Sequence, residues 1–269
     1  MATYFEIVID GQAHDYARQA CAAAFREVDR LENELSRFVE SSDIARANRI
    51  ARGETMMIGD DALQCLLLAA DASLATHGAF DAAYASIRPP DFPRELPPFT
   101  LDPEAHTLTS RADRLQLDLG AIGKGYALDR AVEVLREWSV EAACLNSGGS
   151  TACALGRPTD AAGWSIGMGD GAANRLLMLA DVALSGSGTA VKGLHLIDPR
   201  TGAPAVRTNR AWALAPGAAL SDALSTAFFV MTETEIASFC AEHPQIGAAL
   251  AAPGEKLIVH GSLRAAVGL

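Results

Sequence analysis

The chain has 269 residues, 49% of them hydrophobic and 20% charged, which are globular values. Its net charge of −11 argues against a broad nucleic-acid surface, which needs basic patches. The five cysteines, Cys21, Cys65, Cys144, Cys153 and Cys240, are scattered without a C-x-x-C pair. They read as small buried apolar residues rather than a disulfide or zinc framework.

The opening MATYFEIVIDG alternates like a strand over Tyr4–Ile9 and lacks the basic start and apolar core of a signal peptide. No apolar run reaches the roughly 18–20 residues of a membrane helix. Together these features predict a cytoplasmic protein, unless a leader precedes this sequence. A helix is predicted from about Ala13 to Phe38, with Val28, Leu31, Leu35 and Phe38 as its apolar stripe. The polar stretch SRFVESSDIARANR then reads as a helix end and a short second turn. A second helix, about Asp61–His77, puts Leu63, Leu66, Leu67, Ala70 and Leu74 on one side and ends at Gly78 as C-cap.

A proline-rich loop, IRPPDFPRELPPF, reads as a surface excursion rather than a domain linker, so one domain is expected over residues 1–269. Short strands follow at Thr107–Thr109 and Leu115–Leu119, then a helix at Tyr126–Trp138 and a strand at AACLN. Further strands are predicted at Thr151–Leu155, Trp164–Met168, Arg175–Leu179, Val182–Ser185, Leu194–Ile197 and Arg210–Ala215. A helix beginning near Ser221 as N-cap, another near Glu235–Glu242, and strands near Ala248 and Lys256–His260 complete the chain. Helices and strands mix without βαβ alternation, which predicts an α+β fold with a largely antiparallel sheet and flanking helices.

Five segments could carry chemistry. In DLGAIGKGYALDRA, Asp118–Ala131, three glycines and Lys124 lie between a strand-like run and a helix. The spacing fits neither a Walker loop nor a dinucleotide fingerprint. It allows an anion at a helix N-terminus, or only a tight turn with a solvated lysine. In LSDALSTAFFVM, Asp222 and Thr226 stand at i and i+4, half a site for a hard cation. Equally, Asp222 could be a residue favoured by the helix dipole, worth about 0.3–1 kcal/mol, with Thr226 bonding back to the backbone. HLIDPRTG, His195–Gly202, is a turn, with His195 a proton acceptor or a structural residue. LNSGGS allows a close ligand or an ordinary hairpin. GAFDAAY carries Phe80 and Asp81, readable as a packing ring beside a turn carboxylate.

The order of LSRFVESSDIARANR, GAFD, DLGAIGKGYALDRA, NSGG, HLIDPRTG and SDALSTAFF resembles the FAD:protein FMN transferases, the ApbE-like proteins. The resemblance spans about Met1 to Met231. It implies an enzyme that binds FAD and Mg2+, moves the FMN half onto a Thr or Ser hydroxyl of an acceptor protein, and releases AMP. Carried over by position, the metal would be held by Asp222, Thr226 and the backbone carbonyl of Ala121. The flavin and diphosphate would lie against Phe38, Ala79, Phe80, Asp81, Asp118, Lys124 and Ile197, with Phe38 or Phe80 available to stack. His195 matches the histidine that takes the hydroxyl proton.

Two departures stand out. Ser150 follows NSGG where the family usually has Asn or Asp, and the stretch from Ser185 to His195 is shorter and lacks the usual Asp-Tyr pair. They keep two other functions open: hydrolysis of FAD to FMN and AMP, and flavin binding without turnover.

Overall fold

The computed structural model describes residues 3–93, 96–169, 175–188, 197–205, 208–251 and 257–268. The chain runs β1 (Phe5–Asp10), α1 (His14–Leu35), α2 (Asp43–Ala47), β2 (Thr55–Met57), α3 (Asp60–Ala75), β3 (Phe99–Asp102) and β4 (Thr107–Ser110). It continues through α4 (Gly123–Glu137), β5 (Ala142–Ser147), β6 (Thr151–Leu155), β7 (Trp164–Met168), β8 (Arg175–Leu179), β9 (Ala183–Gly188) and β10 (Arg210–Ala215). It closes with α5 (Ala218–Val230), α6 (Glu233–Glu242), β11 (Gly247–Ala251), β12 (Ile258–Gly261) and α7 (Leu263–Ala266).

The main sheet has seven strands in the order β1-β5-β6-β9-β10-β11-β12, with every pair antiparallel. A three-stranded sheet, β2-β4-β3, and the β7-β8 hairpin flank it. The expected α+β class with a largely antiparallel sheet is therefore what the chain forms.

Strand alternation divides the core between the two faces of the main sheet. On β10, Ala211, Ala213 and Ala215 face the helices, while Trp212 and Leu214 face the other way. Ala183 and Cys153 join the helical side, and Leu184 and Ala154 the opposite one, where Met168, Leu177 and Leu179 of the β7-β8 hairpin cover them. The methyl-only surface of β10 lets α5 lie close. That helix is buried nearly all round, as its almost unbroken apolar sequence requires. Full burial of Phe228 and Phe229 contributes roughly 1.5–3 kcal/mol each. Outside α5 lies α4, and α1 packs on α4 through Ala20, Ala24, Val28, Leu31 and Leu35, spaced four, four, three and four apart.

Several boundaries differ from the sequence expectation, each for a physical reason. Helix α1 stops at Leu35, and Phe38 lies beyond it, 80% exposed rather than in the stripe. Leu74, near the end of α3, is also exposed, because the buried stripe runs through Cys65, Ala69, Ala72 and Thr76 and leaves Leu74 on the outer face. Gly78 does end that helix: at φ +76° its N–H donates to the Ser73 carbonyl at 2.8 Å.

The alternating run Leu115–Leu119 is not a ladder strand. Its backbone groups pair with side chains and a loop instead. Asn48 bonds both N–H and C=O of Leu117 at 2.6 and 2.9 Å, Ser86 Oγ accepts from Gln116, and the Ala82 carbonyl accepts from Asp118.

Ser221 is not an N-cap. Helix α5 begins three residues earlier, at Ala218, and the Ser221 hydroxyl donates to the Ala213 carbonyl. The cap comes from α4: Asp129 accepts from the Ala218 and Ala219 N–H groups at 2.7 and 2.8 Å. Burial pushes the Asp129 carboxyl up, and those two donors oppose the push. Asp129→Ala is expected to cost about 1–2 kcal/mol, the worth of a lost N-cap, read as a lower urea midpoint. An unchanged midpoint would show that solvent caps α5 equally well.

Candidate functional site

Of the segments singled out in sequence, the glycine loop, the start of α5 and the GAFD segment are joined by direct contacts around the N-terminal end of α4. Arg37 Nε lies 3.3 Å from Asp118 Oδ2, which brings the turn after α1 to the glycine loop. The same guanidinium stacks 4.5 Å over the exposed Phe38 ring. The bond from the Asp118 N–H to the Ala82 carbonyl, 2.8 Å, ties the GAFD segment to the loop. Asp118 Oδ1 accepts from the Gly120 N–H at 2.9 Å, closing a local turn.

Lys124 crosses from the loop to α5. Its Nζ donates to the Gly120 carbonyl at 2.8 Å and to the Asp222 carboxylate at 2.9 and 3.3 Å. Asp222 is buried, and its side chain also faces the Gly125 N–H at 3.4 Å. One turn further along α5, Thr226 Oγ1 lies 3.1 Å from the Ser187 hydroxyl of β9.

The glycines of the loop do different jobs. A Cβ on Gly125 would lie 2.1 Å from the Ala218 carbonyl oxygen, so this glycine lets α4 pass the start of α5. Gly120 is limited by its own turn, 3.0 Å from Asp118 Oδ1, while Gly123 meets only ordinary contact. LNSGGS forms the β5-β6 hairpin, with Gly148 and Gly149 at φ +58° and +64°. There the Ser150 hydroxyl bonds the Ser147 carbonyl, and the buried Ser147 Oγ has no hydrogen-bond partner among the described residues.

Ala79 and Phe80 are core residues. The Phe80 ring is therefore not free to stack on a ligand, and of the two candidate rings only Phe38 is open. Asp81 accepts from the Ala83 N–H at 2.8 Å and pairs with Arg88 at 3.4 Å. Burial pushes its carboxyl up against both. A cleft of about 190 Å³ is lined by Arg37, Asn48, Tyr84, Arg114, Gln116 and Asp118. The larger hollow, about 620 Å³ along β3 and β4, is open and holds none of the site residues.

Ile197 is partly exposed and pairs with Pro204 across the DPRTG turn. In that turn Arg200 bonds both oxygens of Asp198 and reaches Glu235 at 2.8 Å. Gly78 abuts Arg200, since a Cβ there would lie 3.7 Å from its Cγ. The turn is thereby seated beside the GAFD segment. His195, and residues 194–196 of the expected strand, lie outside the described residues.

Burial alone would raise the Glu235 carboxyl, but the Thr232 N–H and hydroxyl and the Arg200 guanidinium outweigh it and hold it below its ordinary value of 4.5. That stabilisation is present above pH 4.5 and is lost as pH falls through the lower folded value. Glu235→Gln should therefore flatten the acid limb of a stability-versus-pH curve. An unaltered limb would remove this network from the acid response.

Two contributors escaped the sequence reading. Arg37 adjoins Phe38 and turns to Asp118. Ser187 belongs to the SGSG run, where Ser185 and Ser187 recur at the strand period and so share the helix-facing side of β9.

The oxygens gathered around Lys124 are the Asp222 carboxylate and the Gly120 carbonyl, with the Thr226 hydroxyl one helical turn from Asp222 on α5. Loop and helix oxygens already converge on one cation, the Lys124 ammonium. A hard divalent ion suits such a set. Among the described residues there is no group of three or more His, Cys, Asp or Glu side chains that could hold a metal. A site made from one carboxylate, one hydroxyl and a backbone carbonyl contains no such group.

Fold and site together define an α+β protein in which a lysine of a glycine loop is paired with an aspartate in the second turn of a buried helix. The same architecture is found in the structure described as flavin transferase ApbE from Vibrio cholerae, with a TM-score of 0.84 and 22% identity over 98% of this chain and 96% of that one. A model of the ApbE family matches residues 1–89 and 93–250, and the chain belongs to that family. A Treponema pallidum protein named FAD:protein FMN transferase is 28% identical over 173 residues, 56% of this chain and 48% of that protein. A Klebsiella pneumoniae protein of the same name is 32% identical over 103 residues, 34% of this chain and 30% of that protein. The matched stretches thus span less than half the length of these curated relatives.

Proposed function

We propose that the chain is a magnesium-dependent FAD:protein FMN transferase. The observation that carries this reading is that Lys124 of the glycine loop bonds the Asp222 carboxylate of α5, 98 positions away, and the carbonyl of Gly120, whose N–H is held by Asp118. In this reading Asp222, Thr226 and the Ala121 carbonyl hold the metal. When bound, Mg2+ neutralises diphosphate charge and makes AMP a better leaving group. Phe38, Asp81, Asp118, Lys124 and Ile197 border the flavin and diphosphate, with the buried Ala79 and Phe80 packed behind them. Lys124 adds a point charge, as phosphoryl transfer depends mainly on positioning and charge neutralisation.

The acceptor Ser or Thr oxygen bonds to the FMN-side phosphorus. The bond from that phosphorus to the bridging oxygen breaks, and AMP leaves with that oxygen. His195 takes the hydroxyl proton.

The test is incubation with FAD, with and without Mg2+, and with an acceptor bearing a Ser/Thr flavinylation-type site, followed by chromatography. Mg2+-dependent AMP with flavin fixed on the acceptor is expected. AMP with free FMN would identify a hydrolase, and bound FAD without AMP would overturn catalysis altogether.

A further inference from the structure

Three hydroxyls meet between β9 and α5. Ser187 Oγ lies 2.8 Å from Ser225 Oγ and 3.1 Å from Thr226 Oγ1. The Ser225 hydroxyl also lies 2.9 Å from the Asp222 backbone carbonyl, which can only accept. Each hydroxyl has one proton to donate. Only one assignment satisfies all three contacts. Ser225 donates to the Asp222 carbonyl, Ser187 donates to Ser225, and Thr226 donates to Ser187. Reversing the order would leave the Asp222 carbonyl without that bond. Ser225 is fully buried, so water does not offer it an alternative partner. The Thr226 proton is thereby drawn toward β9, which leaves its oxygen lone pairs facing away from the strand.

We infer that Ser187 is a positioning residue that, through Ser225, presents the Thr226 hydroxyl as a lone-pair ligand to a divalent cation. This rests on the metal site proposed above and adds to it a residue from β9. Groups that orient a ligand in this way are typically worth about 10–100-fold in metal affinity.

The test uses the full chain and Mn2+ alone, with free Mn2+ read by electron paramagnetic resonance and folding checked by near-ultraviolet circular dichroism. Ser187→Ala is expected to weaken Mn2+ binding about 10-fold, and Ser187→Thr, which restores the hydroxyl, to recover it. Asp222→Asn is the control for the site itself. Ser187→Ala binding as tightly as wild type, while Asp222→Asn binds poorly, would overturn the role of Ser187 alone. Equal weakening by Ser187→Ala and Ser187→Thr would also overturn it, since the hydroxyl would then be irrelevant. A wild-type chain that binds no Mn2+ would sink the metal reading and this inference together. Should Ser187→Ala fail to fold, Ser225→Ala asks the same question. It removes the acceptor that fixes the Ser187 proton, so the Thr226 proton is no longer held toward β9, and binding is expected to weaken. Unchanged binding there would overturn the relay.

Discussion

Asp222→Ala is expected to lower Mg2+-dependent AMP release on the order of 10²–10³-fold, the scale of losing one preorganised electrostatic contact to the reacting charge. It should also destabilise the fold, which the sequence reading, with Asp222 at a helix start, did not expect. Asp222 lies in the second turn of α5, its side chain only 6% exposed, and its partner Lys124 is 21% exposed. Removing one member of a buried pair typically costs about 3–5 kcal/mol. Lys124 keeps the Gly120 carbonyl and some solvent, so the lower end of that range, about 3 kcal/mol, is expected. Paired measurements of AMP release and urea unfolding check both halves. A variant as active as wild type with added Mg2+ would remove Asp222 from the metal site. Unchanged stability would show that the Lys124 pair contributes nothing net to folding.

Gly125→Ala should be among the most damaging single-methyl substitutions in the protein. The new Cβ would lie 2.1, 2.4 and 2.7 Å from Ala218 O, Ala218 C and Ala219 N, all backbone atoms of the first turn of α5. No rotamer can relieve this, so α4 and α5 must separate. Overpacking a core costs roughly 1–3 kcal/mol, occasionally more, and a backbone clash belongs at or above the top of that range. At about 2–4 °C per kcal/mol, a chain of this length would melt roughly 6–12 °C lower. Gly123→Ala in the same loop meets only ordinary contact and gains helix propensity, so it should leave the melting temperature within about 2 °C. Equal effects at the two positions would show that loop flexibility, rather than the α4–α5 approach, explains the glycines.

Much of the fold was legible in the residues because burial imposes a period. The 3.6-residue stripe of α1 and the two-residue alternation of β6, β9 and β10 follow from each element having one face toward the core. Gly78, Gly148 and Gly149 marked chain reversals because left-handed backbone favours glycine. Local hydrogen-bond chemistry was less decisive. Ser221 has the right type for an N-cap, yet Asp129, 89 positions away, caps α5. Leu115–Leu119 has strand alternation, yet Asn48, 69 positions away, takes its backbone groups.

The sequence by itself determined the helix stripes, the alternating strands, the hairpin glycines and the set of chemical groups available: one lysine in a glycine loop, and an Asp and a Thr one turn apart. Those depend on side-chain type and near-neighbour spacing, which a linear chain displays. Only the tertiary structure decided that Lys124 pairs with Asp222, that Gly125 serves helix packing, that Phe80 is core while Phe38 is open, and that Ser187 reaches Thr226. The pairings among them depend on two distant segments brought together by burial of the surfaces between them, and hydrophobic burial is non-directional, so it marks which residues are buried but not which distant segment they meet.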